Sequence, residues 1–292
     1  MRFVKKFNNY VEYVDLWQVI QDGTSKEKDI AVKILRKAYD EIYIKTFPIP
    51  SEQESFVAWE KFGSGKYSSK EQAIQTFTIF GFDLATKPVI IAFIATSFYK
   101  TTATGLIDYV VRLKNFRHLL SAAEICAYQE KVLEKICAKY DACPLKMILW
   151  EANDPSKISW DSSNPDYSQD CMDPEKRIQA IEQHMRCARI GCSYVQVPIH
   201  FVKTFKEIDE GICDNLLLYM YNAPQYQNAK PEDLEKYISV FSKSLNGHLP
   251  YQLKHPLVDK MMSEIVYMKK KNIPLLYDKQ TPSQREGIQK QK

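Results

Sequence analysis

No apolar run in this chain is long enough to cross a bilayer. Its most apolar stretch, Pro88 to Phe98, falls well short of the roughly 20 residues a membrane helix needs and reads as a core strand. No apolar segment follows Lys5 and Lys6, so no signal peptide is expected. There is no CxxC among the seven cysteines at 126, 137, 143, 171, 187, 192 and 213. Their odd count and scatter fit reduced thiols in a cytoplasmic protein. The five histidines are equally scattered, and no metal is expected. Basic residues form no stripe: they fall at Lys5 and Lys6, Lys33 to Lys37 and Lys269 to Lys271, and the net charge is only +4. A dedicated nucleic-acid binder or membrane-surface protein is disfavoured. No internal repeat is evident.

What is present is core material. With 292 residues, 45% hydrophobic content, 18 Tyr and 14 Phe, the chain can bury a sizeable interior and pack it in order. Val11 to Ile20 reads as a strand ended by Asp22-Gly23. Ile30 to Ile44 has helical spacing, broken by Phe47-Pro48-Ile49-Pro50. Ser51 and Glu54 then form a capping box for a helix carrying Phe56, Trp59 and Phe62. Ile74 to Asp83, Pro88 to Phe98 and Gly105 to Arg112 form an antiparallel meander. A helix runs from about Leu119 to Tyr140, and Leu145 to Ala152 is a buried strand. Asn153 to Asp173 is a long polar loop, and Asp173-Pro174 opens a helix to about Cys187. Gly191 to Ile199 and Cys213 to Tyr221 are strands, Pro231 to Leu245 and Pro256 to Lys271 are helices, and the tail after Asp278 is polar.

The segment from Thr101 to Tyr140 is the most telling, because a strand feeds through a basic turn into a helix with small residues at its start, Ser121, Ala122 and Ala123. Free N–H groups and the helix dipole favour an anion at such a start, and no acid is expected to cap it. The segment resembles the pyrophosphate loop of the GNAT N-acetyltransferase superfamily, whose pattern is Q/R-x-x-G-x-G/A. Arg117 and Ala122 match its first and last positions, while Leu120 stands where the family has glycine. Three further segments resemble one bacterial branch of that family: YDEIYIKTFPIPSEQESFVAW at Tyr39 to Trp59, LWEANDP at Leu149 to Pro155, and DPEKRIQAIEQHMRCARIGCSYVQVP at Asp173 to Pro198. The last departs from the family's F-Y-E-R, placing Ile181 where a tyrosine often serves as general acid.

The resemblance implies a mixed α/β (α+β) fold with a mostly antiparallel central sheet flanked by helices. A domain over 1–225 would bind acyl-CoA, with a helical extension over 226–278 packed on it and a tail over 279–292. The strands on either side of the long helix, Gly105 to Arg112 and Leu145 to Ala152, should be parallel neighbours splayed apart at one end. Acetyl-CoA would lay its pyrophosphate on Arg117, His118, Leu119, Leu120, Ser121, Ala122 and Ala123, and its thioester along the backbone of Tyr109, Val110 and Val111. Asn153 would touch the pantetheine.

Each candidate also has a plainer role. Asp108 could be a general base of raised pKa inside an apolar strand, or a solvent-facing residue of the alternation. Glu151 is the second candidate base, or an ordinary ion-pair partner at a strand end. Tyr194 lines the acceptor pocket or fills the core. Arg117, His118 and Ser121 could be solvated turn residues, and the cysteines small buried hydrophobes. The expected function is acyl-CoA-dependent transfer of an acetyl group to an unidentified amine. The alternative is a non-catalytic GNAT-like module that senses CoA or binds a protein partner or a second copy of the chain.

Overall fold

The computed structural model describes residues 3–47, 53–67, 73–140, 144–153, 187–190, 194–196, 213–221, 226, 228–245, 256–273 and 275. Nine strands form one sheet: β1 (Val4–Lys6), β2 (Glu12–Asp15), β3 (Ala73–Phe82), β4 (Val89–Tyr99), β5 (Thr104–Arg112), β6 (Met147–Asn153), β7 (Cys187–Arg189), β8 (Tyr194–Gln196) and β9 (Cys213–Tyr221). They run in the order β1-β2-β3-β4-β5-β6-β9, and both β7 and β8 pair with the far side of β9. Every pairing is antiparallel except β5 with β6.

Among the described residues six helices of seven residues or more cover this sheet: α1 (Leu16–Asp22), α2 (Ser25–Ala38), α3 (Phe56–Gly63), α4 (Ala122–Lys139), α5 (Pro231–Leu245) and α6 (Pro256–Lys270). Among the described residues none is long and apolar enough to cross a membrane. α2 opens on a capping box between Thr24 and Glu27, and continues through one π-helical turn, Tyr39–Tyr43.

The alternation of each strand sorts the core into layers. Ile94 and Phe98 of β4 face α4, where Ile125, Val132, Leu133 and Ile136 are buried. Gly105 permits that approach, since a Cβ there would stand 2.6 Å from Leu133 Cδ1. Phe93 and Ala95 point to the opposite face, under α1, α2 and α3. Tyr99, on that same face, belongs to a separate cluster with Leu106, Leu149, Leu218 and Met220 beneath α5 and α6. One face of the sheet thus carries two apolar blocks with a gap between them.

Most expected elements are present, with four corrections. Val11 to Ile20 is not one strand: Asp15 ends β2 and caps α1, accepting from Gln18 N at 3.1 Å. An N-capping Asp in the middle of an apolar run switches the chain from strand to helix. β1 was not expected, being only three residues with two lysines. Glu54 forms no capping box; Ser55 is the N-cap of α3, without a side-chain bond, and Ser51 lies outside the described residues. Cys187, expected to end a helix, begins β7 because it pairs with Tyr221; the body of that helix, the 154–173 loop, Ile181 and the 279–292 tail lie outside the described residues.

α5 and α6 cover the sheet through Leu234, Tyr237, Ile238, Met261, Ile265 and Met268, all buried. Ending the chain after Tyr226 would expose Leu106, Leu149, Leu218 and Met220 together. Such a truncation is expected to be insoluble on expression, whereas a monodisperse, cooperatively melting product would show the two helices to be dispensable to the core.

Candidate functional site

β5 and β6 are hydrogen-bonded in parallel only from Thr104↔Met147 to Ile107↔Trp150. Beyond that point β6 keeps its bonds to β9 through Asn153, and β5 keeps its bonds to β4 through Arg112. The two strands therefore part after Ile107 and Trp150. The cause sits in β5, where Ala95 pairs with Tyr109 but Thr96 pairs with Ile107, leaving Asp108 as the extra residue of a β-bulge. A bulge bends its strand and re-aims side chains, which opens the sheet here. β5 then leads through a 3-10 turn, Lys114–Phe116, to the N-terminus of α4.

Asp108 lies in the gap between the two apolar blocks. Its Oδ2 accepts from Ser97 Oγ at 2.8 Å and from Gln75 Nε2 at 3.3 Å. The same Gln75 Nε2 donates to Glu54 Oε2 at 2.9 Å, and Trp59 Nε1 donates to that oxygen at 2.7 Å. Glu54 is held in turn by its backbone: its carbonyl accepts from Tyr39 Oη at 2.7 Å, and its N–H donates to Tyr43 Oη at 2.8 Å. The π-helical turn supplies both tyrosines, and such turns are frequent at functional sites. Leu149 and Glu151 share a strand face by alternation, so Glu151 stands on the same side of the sheet, and its charge acts on Asp108.

Burial pushes the Asp108 carboxyl well above the usual carboxylate range. The negative charge of Glu54 adds to this and that of Glu151 adds less, while the bonds from Ser97 and Gln75 oppose it. Burial likewise raises Tyr43 and Tyr109. These two rings sit 4.8 Å apart, with Phe47 at 5.0 Å from Tyr109 and the fully buried Trp59 at 4.6 Å from Tyr43. The carboxyl groups thus border an aromatic wall built from α2, α3 and β5.

The structure sets Asp108 and Glu151 on one side of the sheet, and adds Glu54, Gln75 and Ser97, which the sequence reading did not place in the site. Of the strand residues past the bulge, Tyr109 and Val111 face the aromatic side and Val110 faces α4. At the start of α4 the picture differs from expectation. An acid does cap this helix: Ser121 N and Oγ donate to Glu124 at 2.8 and 2.6 Å, and Glu124 N donates to Ser121 Oγ at 3.2 Å. Leu119 N is also used, donating to the Phe116 carbonyl at 3.0 Å. The amides of Ala122 and Ala123, in the first helical turn, are the ones whose position suits an anion.

The Leu120 side chain is buried in the core at 2% exposure, and its carbonyl accepts from Arg112 at 3.0 Å. Its presence in place of glycine thus puts a side chain into the interior and not across the helix end. Burial lowers the Arg112 guanidinium and the nearby charge of Arg117 lowers it further, so two guanidinium groups flank this turn. His118 is exposed beside them. Asn153 and Tyr194 both pair with Leu216, from opposite sides of β9; their side chains lie outside the described residues.

No family model matches the chain, and no curated protein matches it. Among solved structures, a GNAT-family protein from Bacteroides thetaiotaomicron is 14% identical with a TM-score of 0.39, the match covering 72% of this chain and 90% of that one. An acetyltransferase of the GNAT family from Staphylococcus aureus is 10% identical with a TM-score of 0.35, over 72% and 97%. The ribosomal-protein-S18-alanine N-acetyltransferase from Escherichia coli is 8% identical with a TM-score of 0.30, over 68% and 88%. Likeness at this level leaves the fold reading to rest on the chain's own strand order. That order is the one expected from the sequence. It comprises an antiparallel β3-β4-β5 meander, a crossover helix α4, and a parallel β6 that parts from β5.

The raised Asp108 carboxyl has a consequence for stability. The folded protein binds this proton more tightly than the unfolded chain does, whose ordinary value is 3.8. Its contribution is therefore most favourable below 3.8 and is lost as pH rises through the elevated folded value. Asp15, also raised by burial, slopes the same way and persists in any Asp108 variant. Thermal melts across pH should show Asp108→Asn with a flatter decline than wild type and a higher Tm at neutral pH. Equal slopes in the two proteins would mean that Asp108 is solvated.

Proposed function

We propose that this protein is an acyl-CoA-dependent N-acyltransferase, moving an acetyl group from acetyl-CoA to an amine by direct attack. The observation that carries the reading is the fork: a parallel strand pair opened by a bulge, with a half-buried carboxyl at its apex and a helix N-terminus at the end of the bulged strand. A thioester needs a slot between strands where backbone N–H groups can polarise its carbonyl, and the strand past the bulge, at Tyr109, Val110 and Val111, supplies one. The start of α4 suits the pyrophosphate through Ala122, Ala123 and Arg117, though Leu119 and Ser121 spend their N–H groups within the chain.

Asp108 is the candidate base. A carboxylate whose proton affinity is raised by burial and by a neighbouring negative charge is a better acceptor for a proton leaving an attacking amine than an ordinary one. As the C–N bond forms and the C–S bond breaks, the amine's proton passes to Asp108 and CoA leaves as thiolate, to be protonated from water. Glu151 stands on the same face as a second carboxylate, and Tyr194 and Asn153 flank β9 as candidate acceptor and pantetheine contacts. The coarser alternative, a module that binds CoA or a partner without catalysis, is favoured by one observation. Glu124 sits at the helix end where phosphate would bind, and like charges repel there.

Two measurements separate these readings. Calorimetric titration with CoA and acetyl-CoA should give saturable heat, and Glu124→Gln should tighten binding by removing the competing charge. Assayed by thiol release against a panel of amines, Asp108→Asn should lose about 10²–10⁴ in kcat with CoA affinity retained. Saturable binding with no amine turned over would leave the non-catalytic module, and no binding at millimolar CoA would remove both. Leu120→Gly does not probe phosphate approach, because it empties a buried site. Even Leu120→Ala should cost on the order of 2–5 kcal/mol in a denaturation experiment.

A further inference from the structure

The acid–base assignment leaves Glu54 without a role, yet it is among the most heavily held side chains of the site. Its Oε2 receives Trp59 Nε1 at 2.7 Å and Gln75 Nε2 at 2.9 Å, and both its backbone groups are bonded to buried tyrosines. Nothing in helix capping calls for this, since α3 starts at Ser55 without a side-chain bond. The arrangement holds one carboxyl group in a fixed place facing another. Gln75 is the link: a single amide nitrogen donates to Glu54 Oε2 and to Asp108 Oδ2.

An NH₂ group bridging two carboxyl oxygens satisfies each with one bond but supplies no positive charge. No lysine, arginine or histidine bonds either carboxyl group among the described residues. The negative charge of Glu54 held this close disfavours the ionised form of Asp108. Glu54 accepts two N–H donors on one oxygen, whereas Asp108 accepts one long amide bond and one hydroxyl bond from Ser97. Among the described residues, the titratable groups acting on Asp108 are Glu54 from the segment before α3 and Glu151 from β6, with Tyr109 next to it in the chain. None is a cation.

We propose that Glu54 and Asp108, joined at Gln75 Nε2, form a carboxyl pair in which Glu54 is the positioning residue that sets the basicity of Asp108. This deepens the acyltransferase reading and rests on it for its role in catalysis, while the pair itself is testable without substrate. In the reaction, the amine's proton moves to the Asp108 carboxylate as the C–N bond forms and the C–S bond breaks. The Glu54 charge, which never touches substrate, makes Asp108 avid for that proton, and Ser97 tempers it.

The test uses the full-length protein with 13C-labelled aspartate carboxyl groups, titrated by NMR in the absence of CoA, Asp108→Asn assigning the Asp108 signal. Wild type should show Asp108 titrating well above the other aspartates. Glu54→Gln, which keeps an acceptor for Trp59, should move that midpoint down by at least one pH unit, a tenfold change in proton affinity. Ser97→Ala should move it up, because it removes a donor to the ionised form. Shifts of opposite sign are what a merely structural role would not give. An Asp108 midpoint unmoved by Glu54→Gln, or shifts of the same sign in both variants, would overturn the pair. The ascending limb of the pH profile of kcat/KM should follow the NMR midpoint in each variant, with KM for acetyl-CoA unchanged. If the midpoints move as expected and no amine is turned over, the pair stands and the transferase reading fails.

Discussion

One extra residue in β5 organises this molecule. A parallel strand pair would ordinarily continue as far as both strands remain extended, and β6 does remain extended to Asn153. It loses β5 because the bulge at Asp108 turns β5 away after Ile107, while β4 follows β5 and β9 follows β6. Pairing on the outer sides is intact, so the sheet opens at a single seam. The cost of unpaired backbone at such a seam is high in a dry interior, and it is tolerable where solvent or a ligand's amides can enter. The two apolar blocks on one face of the sheet, separated at this seam, are the packing counterpart of the same event.

The polar residues in the gap follow from that opening. Gln75, Ser97 and Asp108 come from three adjacent strands at matching levels, since Gln75 pairs with Ser97 and Ser97 with Leu106. Continuing the Ala95↔Tyr109 register would have set Asp108 opposite Thr96; with the bulge its carboxyl instead accepts from Ser97 and Gln75. Glu54 arrives from outside the sheet, fixed by Tyr39 and Tyr43, the two ends of the π-helical turn that continues α2. Strand irregularity and helix irregularity therefore converge on one pair of carboxyl groups.

The sequence made the sheet meander, the long helix and the C-terminal helices legible, because their apolar periods are long and uninterrupted. β9 and α5 have the very bounds their patterns imply. It concealed the elements shorter than about one period. β1 has three residues, and the β2-to-α1 switch occurs within a run of apolar residues that reads equally as strand. At the site, Asp108 and Glu151 were visible as acids inside apolar strands. Glu54 was visible only as a capping residue, a local role that a Ser-x-x-Glu spacing satisfies on paper; its actual partners are Trp59, five residues away, and Gln75, twenty-one away. The helix end was misjudged for the opposite reason, since Ser121-x-x-Glu124 is a real capping box that the search for phosphate-loop residues passed over.

These two Ser-x-x-Glu spacings carry a physical lesson about which interaction wins. At Ser121 the helix begins at the surface, where Glu124 has no better donor than the amide and hydroxyl of its own cap, and those bonds hold its carboxyl below the ordinary range. At Glu54 the indole of a fully buried Trp59 and the amide of Gln75 need an acceptor, and leaving either unsatisfied would cost about 1–3 kcal/mol. A buried donor outranks an exposed cap, so the carboxyl turns inward and places a negative charge beside Asp108. The electrostatics of the site are thus a consequence of satisfying a core tryptophan. Any substitution at Trp59 would act on the Asp108 proton as well as on packing.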